Sequence, residues 1–477
     1  MWWSIFQTDN SATFGIHKHN FMKKLILLFS VAFLSIQVKA QTFTDLNWNL
    51  RGLQGGAVAF ADFDNDGDED FAMSGFSSVV AEWSGIFRND NGVPVCIDSS
   101  IVQTAFGSIS WGDMDHDGDQ DLIVCGQRNG TGISQLYRND GNSVFTPIAG
   151  TNLPQINGCL RLIDYDRDSL PDIIACGMIE PTLDDTVLMM HNDGNLFFSP
   201  HNLPIPNIIG DIQVADYDGD QWPDFFITGR PSFNFTGLNQ LYHNEGNGTF
   251  SLNPSVFRPI FTGTAKFGDF ENDGDIDLLI DGIDSTNEAF TLVYENNGNI
   301  FTERADSLPP SGEPGAVDWA DIDGDNDLDI AISGTYLMRN DGNGNYTDIS
   351  PWPLMLGIPE VFADYDHDDD MDLFVMNSSG LGGTSMYRNE MINSVSQINS
   401  KADALIYPNP ATNNISLKGN QFQNAEFKII DVSGRILLMG SIASLQRIDV
   451  SGLEVGNYIL QLSADSKIQN LNLVILR

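Results

Sequence analysis

Basic residues are scarce in this sequence: 23 Lys and Arg stand against 65 Asp and Glu in 477 residues, a formal charge of −42. A surface so poor in cations cannot neutralise phosphates, which argues against nucleic acid and against an anionic lipid surface as partners. Cysteine is scarce as well. Cys96, Cys125, Cys159 and Cys176 are too few to form a disulfide framework at this length, and they read as small buried apolar residues. Stretches with a 3.6-residue apolar period are missing, which excludes a helical solenoid. Long apolar runs are missing too. The run from Leu25 to Ile36 covers 12 residues, short of the roughly 20 that a spanning helix needs.

That run lies within MKKLILLFSVAFLSIQVKA (22–40), after a Lys pair and before the small residues Val38 and Ala40. This is the layout of an export signal, with cleavage expected after Ala40 and Met22 as the expected start. Residues 1–40 are thus read as an N-terminal extension and signal peptide. The mature chain is expected to leave the cytoplasm through the periplasm without a transmembrane segment.

What the chain has in excess is one acidic pattern. In FADFDNDGDEDFAMSG (60–75), six of the nine residues from Asp62 to Asp70 are acidic. Each like-charged pair at about 4 Å costs roughly 4 kcal/mol at an effective dielectric near 20, and no basic residue lies in the stretch. The loop occurs seven times, at intervals of 51, 51, 52, 53, 52 and 43 residues. Positions one, three, five and nine are acidic in every copy. They are Asp62, Asp64, Asp66 and Asp70; Asp113, Asp115, Asp117 and Asp121; Asp164, Asp166, Asp168 and Asp172; and Asp216, Asp218, Asp220 and Asp224. The last three copies supply Asp269, Glu271, Asp273 and Asp277; Asp321, Asp323, Asp325 and Asp329; and Asp364, Asp366, Asp368 and Asp372.

The flanks repeat with the loop. An apolar residue stands two before it, an apolar run such as DLIVCG (121–126) follows, and an aromatic or Met then precedes a turn. The turn holds Asn each time, at Asn89, Asn139, Asn192, Asn244, Asn296, Asn340 and Asn389, which reads as hairpin-turn chemistry. One unit is strand, acidic loop, strand, variable loop, strand, turn, strand. Four short strands in about 50 residues are a β-propeller blade. After Asn389 the seventh unit lacks its fourth strand. TFTDLNWNL (42–50) resembles the fourth-strand segments of other units, so the N-terminal strand is expected to complete blade seven.

Carboxylates at alternate positions around a turn, with a ninth residue closing it, offer hard oxygens to a hard cation. Calcium, which takes six to eight oxygens, fits better than the tighter magnesium octahedron. The loops are expected to hold up to seven Ca2+ ions, which would take the formal charge from −42 to −28. Loops 62–70, 113–121 and 269–277 carry Gly at position six, whereas Ser169, Gln221, Asn326 and Asp369 replace it elsewhere, and Pro171 and Pro223 occupy position eight of the third and fourth loops. By these departures the third and fourth loops rank as weaker sites. The seven units resemble the FG-GAP/VCBS repeat family, which includes the integrin α-subunit propeller. That resemblance covers about residues 42–390 and implies calcium loops that are mainly structural, with partners bound elsewhere on the propeller.

Beyond the propeller at 41–390, a polar linker (391–402) leads to a segment without acidic loops. YPNPATNNISL (407–417), FKIIDVSGRILL (427–438) and IDVSGLEVGNYILQL (448–462) alternate as strands with Gly turns, the pattern of a small immunoglobulin-like β-sandwich. The fold class expected is therefore all-β, a seven-bladed propeller followed by a sandwich. YPNP, the D-x-x-G segment and L-x-x-G-x-Y make 403–477 resemble the type IX secretion C-terminal sorting domain of Bacteroidota proteins. The resemblance implies engagement with the type IX secretion machinery and a secreted or surface-attached product.

No catalytic motif stands out. His116 and His367 sit in acidic loops, His191 and His243 take the place of an Arg in the turn, and only His201 is unassigned. The expected function is an extracellular adhesion or recognition module for a glycan or protein, not an enzyme. A polysaccharide-degrading enzyme on a calcium-stabilised propeller is the alternative, and a passive surface-layer component a third reading. Trp83, Phe233 and Phe235, in the loops joining second and third strands, are the aromatic candidates for ligand stacking.

Overall fold

The strands of each repeat differ in burial, and the sequence explains the gradient. The second strand is an apolar run that packs on both faces, as in Asp121–Arg128, whose first six residues are all buried. The first strand mixes small and polar residues, as in Ile209–Ala215, and is mostly half-buried. The fourth is short and more exposed, as in Phe250–Leu252.

The computed structural model describes residues 43–476 apart from 49, 78, 80, 232–235, 305–307, 312–315, 333–335, 343–344, 351–359, 369, 377–382, 391–404, 408–410, 419–425, 432–434, 442–446, 454 and 465–466. The chain divides into two compact units, Met1–Met391 and Ile392–Arg477. The first contains seven four-stranded antiparallel sheets, six of them formed by four consecutive strands. The seventh joins Glu360–Ala363, Asp372–Val375 and Ser385–Asn389 to Phe43–Asp45. There Phe43 pairs with Asn389 and Asp45 with Tyr387, so the N-terminal strand closes the ring and leaves no free sheet edge at the seam. The first unit is a seven-bladed β-propeller.

Its apolar core lies between blades. One buried cluster joins blades one and two through Phe63, Ile86, Ile109 and Leu122, and another joins seven and one through Phe71, Met73, Tyr365 and Phe374. Five further clusters fill the remaining interfaces around the ring. The second residue of every acidic loop is inserted into these cores: Phe63, Met114, Tyr165, Tyr217, Phe270, Ile322 and Tyr365 are all buried. Each loop is therefore anchored from below by an apolar side chain.

In the second unit, Leu405–Tyr407, Asn414–Lys418 and Arg447–Asp449 form one sheet. Glu426–Asp431, Ile436–Ser441, Gly456–Ala464 and Lys467–Ile475 form another. Ile415 and Ile448 of the first share a core with Ile429, Leu460, Leu462 and Leu473 of the second, as in a β-sandwich. All four cysteines are free; three are buried, but Cys96 is exposed, which corrects its reading as a buried residue. The export signal at 22–40, the linker at 391–402, Phe233 and Phe235 lie outside the described residues.

Candidate metal centre in seven acidic loops

All seven loops fold by the same local rule. The position-one carboxylate accepts the amide of position five at 3.0–3.1 Å, from Asp66 to Asp62 in the first loop through Asp368 to Asp364 in the last. In the first six loops it also accepts the amide of position six, at 2.8–3.1 Å. Position four is left-handed in every copy, with φ of 54–73°. Position six is left-handed too, at 97–99° for Gly67, Gly118 and Gly274, and at 76°, 74° and 71° for Ser169, Gln221 and Asn326. A side chain in that region costs about 1–2 kcal/mol. Replacing Gln221 or Ser169 by Gly is expected to stabilise the fold by up to about 1 kcal/mol once the unfolded-state entropy of Gly is offset. Denaturant unfolding checks this, and a loss of stability in both variants would contradict the loop geometry.

Position nine ties the loop to the turn. Its carboxylate is buried in every blade. One oxygen accepts the backbone amide of the turn Asn at 2.7–2.8 Å. The other accepts the amide of position two at 2.9–3.3 Å. The Asn side chain then reaches the neighbouring blade. Asn89, Asn139, Asn192, Asn244, Asn296, Asn340 and Asn389 donate to the carbonyls of Tyr365, Phe63, Met114, Tyr165, Tyr217, Phe270 and Ile322, at 2.7–3.1 Å. These asparagines were read from sequence as turn formers. They are instead buried staples between blades, and none has a positive φ. The same amide also donates to the carbonyl of position eight, Pro171 and Pro223 included. Position eight is used here through its carbonyl, so proline fits, and the third and fourth loops keep the shape of the others.

The 28 sequence-predicted carboxylates all fall within the described residues. Ligand atoms of Asp62, Asp64 and Asp66 come within 4.8 Å of one another, as do those of Asp113, Asp115 and Asp121, and those of Asp164, Asp166 and Asp168. The structure adds a histidine to the third and fourth loops, grouping His191 with Asp166 and Asp172, and His243 with Asp218 and Asp224. His191 Nδ1 lies 3.1 Å from Asp172, and His243 Nδ1 lies 3.2 Å from Asp218. In blades one, two, six and seven the turn Arg pairs with the acid two residues on, as Arg88 does with Asp90 at 2.7 Å.

The electrostatics point to a missing positive charge. Burial pushes the position-nine carboxyls of Asp70, Asp121, Asp172, Asp224, Asp277 and Asp372 up to about 7, and Asp329 up to about 8. Burial, and then the neighbouring acids, raise Asp64 and Asp115 at position three. One oxygen each of Asp64, Asp115, Asp166 and Asp366 is buried without a hydrogen-bond partner. A buried acceptor left so is costly unless something else satisfies it. In the first, second and seventh loops, an all-oxygen donor set with orphaned buried acceptors on Asp64, Asp115 and Asp366 fits a hard divalent cation.

Two other sequence candidates are accounted for by packing. Trp83 lies in the strand Ala81–Asn89, 6.0 Å from the Phe87 ring and 5.1 Å from the Arg51 guanidinium, so it supports its own blade. His201 uses both ring nitrogens, on the Tyr165 hydroxyl at 3.1 Å and the Gly248 carbonyl at 2.9 Å.

Residues 113–175, 164–227 and 216–280 match the FG-GAP-like repeat model, and 405–476 match a secretion system C-terminal sorting domain. The chain thus carries FG-GAP-like repeats and ends in a type IX sorting domain, which implies export. No curated protein matches it. Among solved structures, BBS1N in complex with ARL6DN is similar at 11% identity and a TM-score of 0.44, over 75% of this chain and 99% of that one. The extracellular domain of a hybrid two-component system from B. thetaiotaomicron follows at 13% identity and 0.41, over 89% of this chain and 55% of that one. The V. cholerae biofilm matrix protein Bap1 is similar at 14% identity and 0.33, over 91% and 69%. At TM-scores below 0.5 these likenesses carry no weight for function.

Proposed function

With an exported seven-bladed repeat propeller as the premise, we propose that this chain is a calcium-stabilised recognition module that binds a glycan or a protein outside the cell. The observation that carries the calcium reading is the set of orphaned buried oxygens on Asp64, Asp115, Asp166 and Asp366. The acids at positions one, three, five and nine would hold the ion, and the ion would supply the positive charge that the loops lack. The loops are clips for the two inner strands of each blade, so the partner is met elsewhere. The described histidines and the repeated acids have structural partners or repeat positions, which supports a binder over an enzyme.

A glycan-array screen of residues 41–477, run with calcium and with EDTA, tests the reading. Binding in calcium that fades in EDTA is the expected result; turnover of a polysaccharide by the same protein would overturn it. Deleting 405–477 is expected to leave the protein in the periplasm, read by fractionation and immunoblotting.

A further inference from the structure

The first strands of blades three, four and five, Ile156–Ile163, Ile209–Ala215 and Thr262–Gly268, stand side by side around the propeller axis. Each runs toward its acidic loop. At their opposite ends lies a cavity of about 430 Å3. The cavity wall is bare backbone at Gly158, Gly210 and Gly263. A Cβ there would come within 2.1, 1.9 and 2.1 Å of a carbonyl on the next strand.

We propose that this cavity binds a carboxylate-bearing sugar, whose acid group is taken by the Arg230 guanidinium. The proposal rests on the chain being a recognition module and assigns that role a place and a ligand class. Arg161 and Asp211, both in the cavity, neutralise each other at 3.0 Å. Thr264, Gln213 and the Cys159 thiol also donate to Asp211 at 2.7, 2.8 and 3.2 Å, so that carboxylate is already satisfied. Burial opposes the Asp211 charge, but Arg161 and these donors outweigh it and hold the carboxyl below its ordinary range. Arg230 is different. It lies over the Phe261 ring at 5.0 Å, and among the described residues no carboxylate pairs with it. In a chain with 65 acids and 23 bases, an unmatched cation in a concave site is the feature that calls for an anionic ligand.

The rim favours a sugar over a peptide acid. Phe106 borders the cavity with 54% of its surface exposed, on a left-handed backbone with φ of 54°. A strained, exposed aromatic on the rim of a cavity that also holds a cation suits stacking on a sugar ring. Asn157 and Thr262 add neutral polar groups for hydroxyls. The volume falls in the range of about 300–1,000 Å3 usual for small-molecule sites.

Methyl glucuronide, methyl glucoside and N-acetyl-Ala-Ala, titrated into the calcium-saturated chain and followed by ligand-observed NMR, test the proposal. The glucuronide is expected to bind at least about tenfold more tightly than either of the others, and less tightly at high salt. Arg230→Gln is expected to weaken it about tenfold or more without changing the melting temperature, Arg230→Lys to recover part of the loss, and Phe106→Ala to weaken it as well. Equal binding of the glucoside, or unchanged affinity in Arg230→Gln, overturns the site. A peptide acid that binds as tightly overturns the sugar. Absent glucuronide binding alongside persistent glycan-array hits would overturn this pocket and leave the recognition module standing.

Discussion

In EDTA the melting temperature of the propeller is expected to fall as pH rises from 5 to 8, and in calcium to rise over the same interval. The first half follows from linkage. The seven position-nine carboxyls lie at about 7 to 8 in the metal-free fold, well above an unfolded aspartate. A carboxyl raised by folding holds its proton more tightly in the native state. The stability it contributes is full below the unfolded value near 4 and is lost as pH climbs through the folded value. Mutual repulsion in a chain of charge −42 acts in the same direction. Calcium reverses the sign because it needs the ionised form, so protons compete with it below about pH 7. At pH 8 the gap between the two curves is expected to reach about 10 °C or more, since one site at 100 times its Kd contributes about 2.7 kcal/mol and the loops are several. Scanning calorimetry at three pH values reads both curves. Superimposable melts with and without EDTA would remove calcium from the account.

Asn244→Ala is expected to cost about 3–5 kcal/mol, although the residue stands at the very end of its strand, beside a turn. Its amide donates to Tyr165 of the preceding blade at 2.8 Å and to Pro223 at 3.2 Å, and it accepts from Gly246 at 3.0 Å. Removing it strands the buried Tyr165 carbonyl and the part-buried Pro223 carbonyl, each at up to about 1–3 kcal/mol. Asn244→Asp should be worse, because a carboxylate would face those carbonyls and Asp224. Asn247, three residues on in the same turn, accepts only from Thr249 near the surface, and its change to Ala should stay within about 1 kcal/mol. Equal losses for Asn244→Ala and Asn247→Ala in urea unfolding would refute the staple.

Much of this molecule was legible in its sequence because the informative units are local. Asp62 to Asp70 is a device nine residues long, and its recurrence about every 51 residues announces blade, ring and acidic cluster together. The missing fourth strand after Asn389 pointed to closure by the N-terminus, and Phe43–Asp45 supplies it. The apolar position-two residue is legible as well, since Phe63, Met114, Tyr165 and their counterparts are apolar or aromatic in every copy.

What the sequence alone left open lies between blades. The partners of Asn192, Asn244 and Asn296 are 78, 79 and 79 residues away, and turn propensity explains asparagine there equally well. His191 and His243 look like stand-ins for arginine until the fold sets them against Asp172 and Asp218. Arg161 meets Asp211 across 50 residues, and only with the neighbouring strands in place is Arg230 seen to have no carboxylate partner among the described residues. Local spacing fixes what a nine-residue loop can bind. Closing the ring decides which side chains from different blades are desolvated together, and desolvation turns a repeated asparagine into a staple.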